Sequence, residues 1–323
     1  DSQLLIANYY LFFCKTGQLS AILNLFIWCS IKMSTKFKSI ENSILSIKSG
    51  KETISNNMNN FLDTIEKKNR TLNAIITRVE ETTIRDSVER FEKLLAEKKK
   101  LPPLAGFPIA IKDLQETQDI LTTFGSSIFK ENIGRADSPM VRNLKNAGCI
   151  VVGKSNVPEF GVGGQTYNPI FGATLNPFDT KLTAGGSSGG AAAAVAAGML
   201  PFADGSDMMG SIRTPSSFCS LFGFRPTPNL IPPAIVSKGL PALSSLGGIA
   251  RSTKCLSYLL DAQVGNFFNG KPKNQLFSNI INVPLESEIR LAWLGDFNGA
   301  YTYKVGIKEL CEKYLETLKS PKV

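Results

Sequence analysis

The 323-residue sequence contains no histidine. Histidine is the usual base beside a catalytic serine and a frequent zinc ligand, so its absence excludes a Ser-His-Asp site and any histidine-containing metal site. Six cysteines are present, but none forms a CxxC pair, which argues against a cysteine zinc site. We therefore expect free thiols in a reducing compartment, no metal and no cofactor.

Long apolar runs are also scarce outside residues 1–32, apart from the alanine-rich stretch that begins at Ala191. The uncharged run Thr16–Ile31 would span about 24 Å as a helix, less than the roughly 30 Å hydrocarbon core of a bilayer. Because Met33 begins what resembles an ordinary start, we interpret residues 1–32 as an extension outside the mature protein. A cytoplasmic location is expected. A signal-like segment and membrane association through residues 3–31 are the alternatives.

The charge pattern does not indicate a nucleic-acid surface. The net charge of +9 comes mostly from lysines scattered over helix-like stretches with few interleaved aromatic residues. Such lysines are more typical of solvated helix faces, so no specific nucleic-acid partner is predicted. With 43% hydrophobic residues, the chain can bury one large α/β domain or two ordinary ones.

Residues 33–100 are predicted to be helical. Apolar residues at helical spacing indicate a first helix ending at Gly50, a second over about Thr53–Lys67, and a third from about Thr82 that ends before Pro102. These helices carry polar outer faces, so packing is their expected role.

Residues 104–323 are predicted to form the α/β core. GFPIAIKD and CIVVGKS are strand patterns, and SPMVRNLKNAG between them is an amphipathic helix. Strand, helix and strand at this spacing predict a right-handed crossover in an α/β sheet. Farther along, KCLSYLLDAQVG and VGIKELCEKYLETLK are predicted helices separated by a strand, IRLAWLG. We expect a single domain over residues 33–323.

A glycine- and serine-rich loop leads into an alanine-rich helix at Thr183–Gly198, TAGGSSGGAAAAVAAG. Ser187 and Ser188 lie between two glycine pairs, which allows either a catalytic loop or a helix-capping, anion-binding loop. Without histidine, the usual remaining base for a serine is a lysine neutralised by burial. Lys112, the one charge within an apolar strand run, fits this requirement. A lysine that reaches solvent or pairs with Asp113 is the alternative.

A second serine cluster, ADGSDMMGSIRTP, places Ser211 after Gly210. A sharp turn here would direct the amides of residues 208 to 211 to one point and form an oxyanion hole beside Ser211. A simple turn tied by an Asp207–Arg213 ion pair is the alternative.

Together, GFPIAIKD, GGSSGG and GSDMMGSIRTPSSFCSLFGFRPT resemble the amidase signature family of serine hydrolases over about residues 72–262. The resemblance implies a mixed, largely buried β-sheet flanked by helices on both faces. It also implies an amide hydrolase that forms an acyl-enzyme and releases an acid and ammonia or an amine. Its substrate would be a small-molecule or acyl amide, and a homodimer is left open.

The resemblance also implies residue roles. Lys112 would be the base, Ser187 the bridging serine after a cis peptide bond, and Ser211 the nucleophile. Met208, Met209 and Gly210 would form the oxyanion hole. Three residues would have supporting roles: Ser188 would hold Lys112, while Asp207 and Arg213 would shape the nucleophile turn.

The sequence departs from the family pattern in two respects that matter. Met209 stands where the family usually has a glycine, and a left-handed backbone there would cost about 1–2 kcal/mol. The motif SDMMGS resembles that of a recognised branch of the family, so we interpret Met209 as a feature of this branch and not as a sign of inactivation. The same motif argues against an amidotransferase A-type subunit. Family members also extend well past residue 323, so we expect the core to be incomplete at its C-terminus. The competing hypotheses are an inactive remnant or binding protein, and the A-type subunit of a glutamine-dependent amidotransferase.

Overall fold

The computed structural model describes most of the chain between residues 39 and 317. The described residues are 39–233, 243–265, 267–268, 271–272, 277–280, 293–303 and 305–317. The predictions for residues 1–32, including the membrane alternative, lie outside them. The chain divides into two compact units, Ser34–Val283 and the pair of segments Asp1–Met33 and Pro284–Val323. The single domain over residues 33–323 remains a prediction.

The region predicted to be helical contains three helices, but it is not helical throughout, because a strand of the first sheet, Ile75–Arg78, lies between the second helix and the third. The helices are α1 (Ile40–Lys48), α2 (Ile54–Leu72) and α3 (Glu81–Ala96). The Thr53 side chain caps α2 by accepting a hydrogen bond from the Asn56 N–H at 3.0 Å. Helix α2 runs five residues past its predicted end and stops at Asn73, which adopts a left-handed conformation with φ +51°.

The first sheet has the strand order β1-β3-β2. Its strands are β1 (Ile75–Arg78), β2 (Pro108–Lys112) and β3 (Ile150–Ser155), and helix α4 (Pro139–Asn146) connects β2 to β3. Strands β2 and β3 are parallel, which confirms the predicted strand-helix-strand unit, while β1 is antiparallel to β3. Every residue of β2 and β3 is buried, as expected for parallel strands covered on both faces.

The second sheet has the order β6-β8-β7, with all pairs antiparallel. The elements from the small hairpin β4–β5 onwards are β4 (Tyr167–Asn168), β5 (Gly172–Ala173), α5 (Gly189–Ala196), β6 (Phe202–Asp207), α6 (Arg213–Phe218), β7 (Phe222–Phe224), β8 (Ser245–Ala250) and α7 (Thr253–Val264). The glycine- and serine-rich region therefore contains regular helices and strands that carry the serine clusters.

The alanine-rich helix α5 is completely buried between the two sheets and α2. Its small side chains allow this close approach, since a Cβ atom on Gly190 would lie 2.3 Å from the backbone nitrogen of Asn156. Strand β2 of the first sheet lies next to β6 of the second, and the backbone N–H of Lys112 donates to the Asp204 side chain across this contact at 2.9 Å. This junction brings Lys112 to the serine loop.

The remaining elements are short, apart from one helix. They are β9 (Phe267–Phe268), β10 (Lys271–Pro272), α8 (Phe277–Ile280) and α9 (Ile307–Thr317). The predicted helices near residues 254 and 307 are confirmed as α7 and α9. Most of the predicted strand IRLAWLG lies outside the described residues, and residues 293–295 are not in a strand. None of the described helices is long and apolar enough to cross a bilayer.

The arrangement is a mixed α/β fold with buried sheets and helices packed on them, and the predicted fold class is confirmed.

Candidate active site

Lys112 ends strand β2 and is completely buried. Its Nζ atom lies 2.9 Å from Ser187 Oγ, 2.7 Å from Ser188 Oγ and 2.9 Å from Ser206 Oγ. The alternative of a lysine reaching solvent or pairing with Asp113 is therefore wrong. Asp113 instead accepts hydrogen bonds from the Thr123 N–H and hydroxyl.

Burial lowers the pKa of Lys112 to about 7, although the negative charges of Asp204 and Asp207 oppose this shift. A buried ammonium loses its hydration, and this favours the neutral amine. With a pKa near 7, a large fraction of Lys112 is neutral at physiological pH and can accept a proton.

The loop before α5 presents Ser187 and Ser188 to the lysine. The peptide bond between Gly186 and Ser187 is cis. Thr166 ties the two ends of the loop together, since its hydroxyl donates to Gly185 O at 2.8 Å and accepts from the Gly189 N–H at 3.0 Å. Ser188 occupies the N-cap position of α5, but its side chain does not cap the helix. The helix-capping interpretation of these serines is therefore wrong, because both hydroxyls contact Lys112.

The hydroxyl groups around Lys112 differ in what they can donate. A neutral amine has two N–H donors and one lone pair, so at least one neighbouring hydroxyl must donate to it. The Ser188 hydroxyl lies 3.5 Å from the Ser206 carbonyl oxygen, to which it can donate while its own oxygen accepts from Lys112. The donor to the lone pair is then Ser187 or Ser206, whose hydroxyls both lie 2.9 Å from Nζ, and of the two Ser187 belongs to the loop that contacts the Ser211 turn.

Ser211 lies in the turn between β6 and α6, against the serine loop. Its backbone carbonyl accepts from the Ser188 N–H at 3.1 Å, and its side chain is half-buried. Within the described residues the Ser211 hydroxyl makes no hydrogen bond, so the structure brings Lys112 and Ser187 together directly but not Ser187 and Ser211. Catalytic hydrogen bonds often tighten only when substrate binds.

Asp207 organises the turn that carries Ser211. Its carboxylate accepts from the Gly210 N–H at 2.8 Å and the Ile212 N–H at 3.2 Å, and Arg213 Nε lies 3.0 Å from Oδ2. Burial alone would raise the pKa of Asp207, but the hydrogen bonds from Arg213 and Gly210 outweigh burial and lower it. The Asp207–Arg213 ion pair, the alternative interpretation of this serine cluster, is thus present, and the same carboxylate also holds the nucleophile turn.

The turn supplies backbone donors, but not all of those predicted. The Gly210 N–H is bonded to Asp207, so it is not free to bind an oxyanion in this structure. No acceptor among the described residues takes the N–H of Met208, Met209 or Ser211. The left-handed backbone belongs to Gly210, with φ +111°, and not to Met209, so the predicted cost of Met209 does not arise.

Three further residues at this site were not predicted from the sequence: Asp204 and Lys154, which are buried, and Ser206, which is half-buried. Asp204 and Ser206 lie on β6, two positions apart, and therefore share the strand face that meets Lys112. Lys154 lies near the end of β3 as Lys112 ends β2, and its Nζ atom contacts the Thr122 hydroxyl at 3.0 Å and lies 3.9 Å from Asp113. Two features of the sequence could have indicated these residues. Side chains alternate between the two faces of β6, and CIVVGKS carries a lysine near the end of a buried strand.

The described residues contain no cluster of three or more Asp, Glu or Cys side chains placed to bind a metal ion.

The family model described as Amidase matches residues 56–320. Among curated proteins, the chain is 32% identical over 295 residues to the A-type subunit of the glutamyl-tRNA(Gln) amidotransferase of Staphylococcus aureus (strain bovine RF122 / ET3-1), covering 89% of this chain and 60% of that protein. It is 39% identical over 205 residues to an acylamidase of Rhodococcus erythropolis, covering 64% of this chain and 43% of that protein.

Among solved structures, a bacterial aryl acylamidase of the amidase signature family superposes with a TM-score of 0.65 at 29% identity, covering 70% of this chain and 47% of the other. The chain thus spans about half the length of the curated relatives it matches.

Proposed function

This chain belongs to the amidase family, and we propose that it hydrolyses a carboxylic acid amide to an acid and ammonia or an amine. The observation that carries the proposal is the buried contact between Lys112 Nζ and Ser187 Oγ, 2.9 Å long, beside the turn that carries Ser211. A buried base, a bridging hydroxyl and a half-buried serine at the edge of the site are the parts that serine chemistry requires when histidine is absent.

In the proposed reaction Ser211 Oγ attacks the carbonyl carbon of the amide. The Ser211 proton passes to Ser187 while the Ser187 proton passes to the lone pair of Lys112, which becomes an ammonium. The tetrahedral intermediate carries its negative charge on the former carbonyl oxygen. When the C–N bond breaks, Lys112 returns a proton through Ser187 to the leaving nitrogen, and an ester forms on Ser211.

Water completes the cycle along the same proton route. It attacks the ester carbon as its proton moves toward Ser187 and Lys112, and the proton then returns to Ser211 Oγ as the acid leaves. Each half-reaction begins and ends with neutral Lys112, so the pKa near 7 suits the base for work at neutral pH.

The oxyanion would be bound by backbone N–H groups of the nucleophile turn. Met208, Met209 and Ser211 have the free donors among the described residues, while the Gly210 N–H serves Asp207. A single oxyanion-hole donor is worth about 2.7–4 kcal/mol of barrier in other serine hydrolases, so two or three would supply a large share of catalysis.

The substrate class is proposed from the activities of two relatives, an acylamidase and an aryl acylamidase. Acylamidase and aryl acylamidase relatives favour an acyl or aryl linear amide as the substrate of this chain. The cytoplasmic location and the homodimer remain predictions.

A second candidate is the amidotransferase A-type subunit, which would release ammonia from glutamine. The alignment to the Staphylococcus aureus protein over 89% of this chain supports it. The SDMMGS form of the nucleophile motif favours the simple amidase instead.

A substrate panel separates these candidates. The full chain is incubated with aryl, aliphatic and fatty-acyl amides and with glutamine, and the Ser211→Ala variant is the matched control. Release of amine from an acyl or aryl amide that is lost in Ser211→Ala supports the amidase. Turnover of glutamine alone supports the amidotransferase candidate, and a folded chain that turns over nothing supports an inactive remnant.

A further inference from the structure

Asp204 lies in the middle of strand β6 and is completely buried. Its Oδ1 atom accepts the backbone N–H of Lys112 at 2.9 Å. Strands β2 and β6 belong to different hydrogen-bonded sheets, so this N–H has no partner strand on that edge. The Asp204 carboxylate supplies the acceptor and joins the two sheets at the residue that carries the base.

The second carboxylate oxygen of Asp204 has no such structural role. Its Oδ2 atom is buried and has no hydrogen-bond partner among the described residues. An unpaired buried polar atom is costly, and an asparagine or a serine could accept the Lys112 N–H without carrying a charge. The negative charge itself therefore needs an explanation.

The charges around Asp204 give that explanation. The buried lysines Lys112 on β2 and Lys154 on β3 act on it from the first sheet, and Asp207 follows it on β6. Burial raises the pKa of Asp204 to about 6, against the opposing effects of the Lys112 N–H and of the Lys154 and Lys112 charges. Near pH 7 Asp204 is thus mostly a carboxylate.

The other charged groups nearby are engaged with each other. Lys154 is faced by Asp113, Glu116 and Asp137 in addition to Asp204. Asp207 is held by Arg213 Nε at 3.0 Å and lies 3.6 Å from Arg225 Nε. The charge of Asp204 raises the pKa of Lys112 more than the charge of Asp207 does, and Asp204 lacks an arginine partner among these contacts.

We propose that Asp204 is a positioning residue that fixes the strand carrying Lys112 and sets the proton affinity of its amine, an inference that rests on the proposed amidase function. Full burial without a counter-charge can lower the pKa of a lysine to about 5–6, which would make a weak base. The Asp204 carboxylate offsets part of the burial and keeps Lys112 basic enough to take the serine proton.

The test is the pH dependence of Ser211 labelling by a fluorophosphonate in the full chain. Asp204→Asn retains an acceptor for the Lys112 N–H and removes the charge. We expect the acid limb of its rate profile to move down by about one pH unit, because less counter-charge lowers the pKa of Lys112. At pH 6 the rate relative to the plateau would then exceed that of the wild type by at most about fivefold, because Asp204 is itself partly protonated in the wild type at that pH.

Asp261→Asn is the matched control. Asp261 on α7 is also completely buried and accepts hydrogen bonds from the Phe277 N–H at 2.7 Å and the Ser278 hydroxyl at 2.7 Å. Asp261→Asn makes the same chemical change at a position that does not face Lys112. The pH profile of Ser211 labelling in this variant should therefore overlay that of the wild type.

An unshifted profile in folded Asp204→Asn overturns the proposal. If this variant does not fold, Asp204→Ser replaces it, since serine also retains an acceptor oxygen. If Asp204→Asn and Asp204→Ser both fail to fold while Asp261→Asn folds, the negative charge of Asp204 serves stability alone. That result would also overturn the proposal. A wild-type chain that is not labelled at any pH refutes the amidase function itself, which is a different result.

Discussion

The Nζ atom of Lys112 lies 2.9 Å from the Oγ atom of Ser187, and both side chains are buried. The two residues are 75 positions apart, one at the end of a strand and the other in the loop before α5. This contact joins the base to the serine loop, and most of the expectations below depend on it.

Replacement of Lys112 by methionine removes the base but retains most of the side-chain volume. We expect the rate of Ser211 labelling to fall by about 10²–10⁴-fold, the usual contribution of general acid–base catalysis. Lys112→Arg should not restore the rate, because a guanidinium stays protonated. Labelling kinetics with circular dichroism as the folding check measure this, and a rate within threefold of the wild type in Lys112→Met would contradict the relay.

The stability of the protein should depend on pH through Lys112. Its pKa is about 7 in the folded protein and 10.5 for an ordinary lysine, so between these values the unfolded chain binds one more proton. Stability contributed by this group therefore rises with pH across the window from about 7 to 10.5, and below pH 7 the cost of burying the charge is fully present.

Denaturant titrations at pH 7, 8 and 9 check this sign. The free energy of unfolding of the wild type minus that of Lys112→Met should increase by up to about 1.4 kcal/mol per pH unit. A difference that is flat or falls with pH would show that Lys112 is charged in the folded state throughout this range.

Ser188→Ala tests the direction of the hydrogen bonds around the amine. The Ser188 oxygen accepts from Lys112 at 2.7 Å, and without it the lone pair is no longer held toward Ser187. We expect a loss of about 10–100-fold in labelling rate, smaller than that of Lys112→Met. Ser257→Ala is the control, since Ser257 is a buried serine of α7 whose hydroxyl donates to the Lys254 carbonyl; an equal loss there would make the effect nonspecific.

The nucleophile turn should tolerate glycine at position 209 and reject alanine at position 210. Gly210 has φ +111°, and a Cβ atom there would lie 2.9 Å from Thr214 Oγ1. Gly210→Ala is expected to cost about 1–2 kcal/mol of stability and to reduce labelling, because the backbone must move. Met209→Gly should change stability by less than about 1 kcal/mol. Thermal unfolding of the two variants measures the loss of stability in each. Equal losses in Gly210→Ala and Met209→Gly would contradict the observed turn.

The sequence predicted the parts of the site that have their own local pattern. Glycines around Ser187, the isolated charge of Lys112 and the strand-helix-strand unit are visible in short windows, because each depends on the conformation of adjacent residues. The residues it missed, such as Asp204 and Lys154, take their roles from contacts between strands far apart in the chain.

The sequence also predicted the oxyanion donors only in part. The motif indicated that residues 208 to 211 form the turn, and the structure agrees. It could not indicate that the Gly210 N–H is already bonded to Asp207, because that depends on the rotamer of a side chain three residues away. The C-terminal end of α2 was also predicted five residues too early, and the helix continues to Leu72, whose side chain is buried.

The most direct measurement for the Lys112–Ser187–Ser211 relay is intact and peptide mass spectrometry of the full chain after reaction with a fluorophosphonate. The relay predicts one adduct on Ser211 in the wild type, no adduct in Ser211→Ala, and labelling slowed by about 100-fold or more in Ser187→Ala. A folded wild type without an adduct, or an adduct that persists in Ser211→Ala, would contradict it.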